Sequence, residues 1–82
     1  MLRLLAQELE CARRYVAEGA MAKADHHITI ALRLYEASPH GTIPPQVGNV
    51  IVWAGRAAAG REWDVVLMAL DEGLRILAEG AE

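Results

Sequence analysis

Gly19-Ala-Met-Ala-Lys-Ala-Asp-His-His-Ile-Thr-Ile-Ala-Leu-Arg-Leu-Tyr35 is the stretch on which the fold reading turns. It returns in outline as Arg61-Glu-Trp-Asp-Val-Val-Leu-Met-Ala-Leu-Asp-Glu-Gly-Leu-Arg-Ile-Leu77. Ala31-Leu-Arg-Leu34 against Gly73-Leu-Arg-Ile76 sets the register, with Met21 on Trp63 and Ile28 on Leu70. Two similar helices at a fixed offset point to two stacked helical hairpins, an architecture that usually holds partners and performs no chemistry.

Working outward, each copy of the echo is preceded by a second helical pattern. From about Leu2 to Glu18, Leu2, Leu5, Leu9, Ala12 and Val16 recur at steps of three and four, which is one stripe of a helix. Gly19 ends it. The echo itself, about Ala20 to Ala37, carries Met21, Ala24, Ile28, Ala31 and Tyr35 at the same spacing. From about Pro45 to Ala59, Val47, Val50 or Ile51, Ala54 and Ala57 or Ala58 face inward. Gly60 is expected to turn the chain into the last segment, about Arg61 to Glu79, with Trp63, Val66, Leu67, Leu70, Leu74 and Leu77 in its stripe.

Ser38-Pro-His-Gly-Thr-Ile-Pro-Pro45 is the one clear break. Three prolines and a glycine in eight residues cannot continue a helix, whereas Pro44 and Pro45 suit the entry to a new one. Short turns at Gly19 and Gly60 make each pair of helices antiparallel, and the longer joint lets the second hairpin lie across the first. The expected fold is therefore all-α: four antiparallel helices as two stacked hairpins in one domain over residues 1–82. The hairpins occupy about 2–37 and 45–79, with the joint at 38–45.

Composition narrows the function classes. The apolar share of 54% is high for 82 residues, so some apolar surface is expected to face a partner or a second copy of the chain. A net charge of −3 argues against nucleic acid, whose recognition normally needs a basic patch. Arg13 and Arg14 read as a solvated pair. Cys11 is the only cysteine, which excludes an intrachain disulfide and suits a packed thiol in a reducing interior. Gln7, Glu8 and Glu10 interrupt the apolar opening before a signal peptide forms. The apolar run Val65 to Leu70 is far too short to span a membrane. A cytoplasmic protein is the expectation.

The residue sizes resemble those of tetratricopeptide-type hairpins, with Cys11, Ala12 and Tyr15 followed by Ala24, Ile28 and Ala31. Trp53, Ala54 and Ala57 followed by Val66, Leu70 and Gly73 fit that order less well. The units are 42 residues apart, Ala31 to Gly73, against the family's 34, and there are two of them. The resemblance implies a binding groove along the first helix of each hairpin. On this chain it would carry Leu9, Arg13 and Val16 from the first unit, and Ile51, Gly55 and Ala58 from the second. The family's carboxylate clamp looks absent, because Arg13 is the one polar residue there. Such a groove would accept an amphipathic helix or an apolar peptide. An acidic residue at Val16 or Ile51 would then abolish partner capture and leave the helices intact.

Catalytic sets are harder to find. Asp25-His26-His27 is the one tempting cluster, but adjacent histidines on a helix point about 100° apart and read as solvated. Nothing orients a Cys11–histidine pair, Asp71 and Glu72 fall on an outer face, and no glycine motif for phosphate is present. No enzyme, metal or cofactor is expected. Trp63 belongs to the core stripe. Trp53 lies beside its stripe, either capping the interface between hairpins or standing exposed as an anchor. The sequence thus leads to a non-enzymatic protein-binding module, with Trp53 among its contact residues. The alternatives are an obligate homo-oligomeric subunit, or a small acidic inhibitor or antitoxin that occludes a larger protein.

Overall fold

The computed structural model describes residues 2–80. Four helices account for most of them: α1 (Leu2–Ala17), α2 (Met21–Ala37), α3 (Pro45–Ala59) and α4 (Trp63–Gly80). The expected all-α arrangement of two hairpins is observed. Helix ends fall within two residues of the positions expected from the stripes.

Both hairpin turns use the same cap. At the end of α1 the Ala20 N–H donates to the Tyr15 carbonyl (2.8 Å) and the Gly19 N–H to that of Val16 (3.1 Å), with Gly19 at φ +80°. At the end of α3 the Glu62 N–H donates to Ala57 (2.9 Å) and the Arg61 N–H to Ala58 (3.1 Å), with Arg61 at φ +58°. Each is the paired-bond cap that satisfies the last free carbonyls of a helix. The expectation that Gly60 makes the second turn is corrected here. Gly60 keeps φ −85°, and Arg61 takes the left-handed position that glycine fills in the first turn. Gly19 and Arg61 are 42 residues apart, so the echo extends to the backbone of the turns.

The joint has its own causes. Pro39 disfavours a helical conformation at Ser38, whose backbone is extended, while the Ser38 hydroxyl donates to the Leu34 carbonyl at 2.7 Å. Pro44 caps α3 and Pro45 begins it, where a missing N–H costs nothing. Between Pro39 and Pro44, Ile43 is buried and ties the joint to the core.

The helices form a closed ring. α1 packs on α2 and α4, and α3 packs on α4 and α2. The diagonal pairs have no Cα atoms within 8 Å of each other among the described residues. Exchanging the two hairpins leaves this ring unchanged, and the buried positions obey the same exchange. Leu5, Leu9, Ala12 and Val16 of α1 correspond at the 42-residue offset to Val47, Ile51, Ala54 and Ala58 of α3, and all eight are buried. Ala24, Ile28 and Ala31 of α2 correspond in the same way to Val66, Leu70 and Gly73 of α4. The molecule is an approximately twofold bundle built from two halves of one chain.

That ring corrects part of the expected groove. Because α1 and α3 lie on a diagonal, their faces do not combine into one surface. Leu9 is 0% and Ile51 1% exposed, and Val16 and Ala58 are also core residues. An aspartate at Val16 or Ile51 would place a charge in the apolar interior and disrupt the fold. Of the seven expected contact residues, Arg13, Trp53 and Gly55 retain exposure.

Candidate functional surface

The twofold relation gives every outer position a counterpart, so the two halves can be compared at matched backbone sites. In the first hairpin, the seam between α1 and α2 is polar. His27 Nδ1 lies 2.8 Å from the Glu8 carboxylate, and both side chains are largely covered. The Tyr15 ring stacks on His27 with centroids 5.3 Å apart, and the Lys23 ammonium sits 5.6 Å from the Tyr15 centroid. His26 is exposed, as expected, but the solvated reading of His27 is corrected: it joins α1 to α2 through Glu8. Cys11, expected to be packed, is half-exposed, with the Arg14 guanidinium 3.9 Å from its sulfur.

The 42-residue counterparts of Glu8, Cys11, Tyr15, Lys23, His26 and His27 are Val50, Trp53, Ala57, Val65, Met68 and Ala69. At these six positions the second hairpin is apolar, whereas Gln7 and Arg14 are matched by polar Asn49 and Arg56, and Leu4 by Gln46. Trp53 and Met68 are 43% and 61% exposed. Helical geometry places Trp53 on the α4 side of α3, because Gly48 and Gly55 on the opposite flank face Tyr35 and Ile28 of α2.

The seams between hairpins differ in the same sense. α1 and α4 are bridged by Arg13 and Asp71 at 2.5 Å, both about half exposed, over a hollow of about 960 Å³ that includes Leu67 and Leu74. The matched seam between α2 and α3 has Gly55 in the place of Arg13 and Thr29 in the place of Asp71. No ion pair crosses it among the described residues. Ile28, Leu32, Ile51 and Val52 line the resulting trough, of about 340 Å³. A Cβ at Gly55 would meet only one atom, the Ile28 Cγ2 at 3.9 Å, so the floor is open there.

α3 therefore exposes two apolar side chains between two unbridged seams, Val52 toward α2 and Trp53 toward α4, with Asn49 and Arg56 exposed one turn before and after them. Trp53 stands exposed, the second of the two placements expected for it. Trp63 is half-buried and shares a hollow with its own counterpart, Met21, at the turn end of the bundle. Val52 and Met68 were missed in the sequence. The 42-residue offset is the signal that finds them, since it aligns them with Glu10 and His26.

Elsewhere Leu4 of α1 is 53% exposed, matched by Gln46 in the second hairpin. Arg75 pairs with Glu72 and Glu79 along α4, and its hydrogen bond to Glu72 holds that carboxyl below the usual carboxylate range. Among the described residues no three His, Cys, Asp or Glu side chains are placed to hold a metal ion, and no helix is long and apolar enough to cross a membrane. Compared with protein-family models, curated proteins and solved structures, the chain matches none.

Proposed function

We propose that this chain is a small non-enzymatic protein-interaction module whose contact surface is the outer face of α3, extended by Met68 of α4. One observation carries the reading: at matched positions of two equivalent hairpins, one presents polar groups and the other presents Trp53 and Met68 to solvent. The first hairpin meets the same backbone requirements with polar side chains. The fold therefore does not need the apolar ones, and exposed aromatic and thioether groups are what binding surfaces use. Kinship with tetratricopeptide hairpins is a further part of the proposal. It is supported by the order of residue sizes in the first unit, and it concerns ancestry without a groove shared by α1 and α3.

The test is affinity capture from the native cell with the full chain and its Val52→Glu/Trp53→Glu variant. Both sites are on the surface, so far-ultraviolet circular dichroism is expected to stay helical while captured proteins are lost. Recovery of the same proteins at the same yield by both would contradict the reading.

A further inference from the structure

The α3 face has a chemistry that selects among partners. Residues 1–37 hold five basic and five acidic side chains, whereas residues 45–82 hold three basic and six acidic ones. Without Glu82, which lies outside the described residues, the second half still carries a net charge of −2 and the first half none. Locally, Met68 has Asp64 one helical turn before it, while Asp71 and Glu72 one turn after it are paired with Arg13 and Arg75. Asp25 stands on the far wall of the trough beside Val52, and Arg56 is the one cation lining that trough.

From this, and resting on the reading of α3 as the contact surface, we propose that its occupant is a basic amphipathic helix. The trough between α2 and α3 is open over Gly55 and apolar along Ile28, Leu32 and Val52, which suits the stripe of a helix laid alongside α3. Trp53 and Met68 extend the apolar strip toward α4. Lysine or arginine on the flanks of that helix would meet Asp25 and Asp64. A second copy docked through the same face would instead oppose two acidic hairpins, an arrangement of like charges that disfavours association.

The experiment uses the full chain with Trp63→Phe, so that Trp53 alone reports by fluorescence. Two synthetic helical peptides share one leucine stripe and differ in flanks of lysine or glutamate. The lysine peptide is expected to shift Trp53 emission to the blue and to bind about tenfold or more tightly than the glutamate peptide at low salt, with the gap narrowing at high salt. Asp25→Lys with Asp64→Lys should narrow or reverse the preference.

Equal binding of both peptides would overturn the charge assignment and leave the contact surface standing. If neither peptide binds and sedimentation finds a dimer that Trp53→Glu dissociates, the occupant is a second copy and the proposal fails. If neither binds and the chain is a monomer, both the proposal and the underlying reading of the face fail.

Discussion

Gly48 and Tyr35 illustrate how single residues are matched across the two halves. A Cβ at Gly48 would overlap the Tyr35 ring, so α3 and α2 approach here only because the residue has no side chain. Their counterparts at the 42-residue offset are Ala6 and Leu77, a slightly larger residue opposite a smaller one. Gly48→Ala gains about 1 kcal/mol of helix propensity, but displacing the ring costs about 1–3 kcal/mol. We expect a net loss of stability in urea unfolding, and recovery when Tyr35→Leu is added. A coupling of about 1 kcal/mol or more in that double-mutant cycle is the expected result. Strict additivity would mean that the two sites are not equivalent. The sequence made the burial of most such positions legible. The three- and four-residue stripes place Leu9 and Val16 inward with Val50 or Ile51 and Ala57 or Ala58, and the structure buries all six. Leu9, Val16, Ile51 and Ala58 were drawn into a groove by a resemblance that sets α1 beside α3. Periodicity reports which face of a helix is buried and is silent on which helix covers it.

Among the elements, the two hairpin turns are the closest match in the molecule and the place where one residue of sequence misleads. Both turns place a left-handed residue two positions past the helix, yet Gly19 fills that place in the first and Arg61 in the second, directly after Gly60. A glycine next to the required position is enough to shift a reading made from composition alone. Left-handed backbone costs a non-glycine residue about 1–2 kcal/mol, which glycine avoids. Arg61→Gly is therefore expected to raise stability by about 1 kcal/mol, seen as a rise of about 4–8 °C in Tm for a domain of this size. An unchanged or lowered Tm would show that the Arg61 side chain contributes as much as its backbone loses. The joint was more legible, because proline acts locally: Pro39 stops α2 and Pro45 starts α3 where the sequence put them.

For the whole molecule, the duplicated stripe sets a near-twofold bundle, and the departures from that symmetry lie on its surface, Val52, Trp53 and Met68 of the second hairpin among them. Core positions such as Leu9 and Ile51 or Ala12 and Ala54 agree across the halves because they fill equivalent space. Surface positions are free of that constraint, and the proposed contact surface is read from their differences. The sequence had offered Trp53 as an anchor without its setting. Val52 and Met68 emerged only once the offset was applied to side chains facing water. The central claim is thus a comparison between matched sites, and it is tested most directly by substituting both members of one pair in the full chain. Trp53→Glu and Cys11→Glu are compared by capture of the native partner, each with its helical content verified by circular dichroism. The account predicts that Trp53→Glu loses the partner while Cys11→Glu retains it. Equal retention, or loss through Cys11→Glu alone, would contradict the assignment of binding to α3.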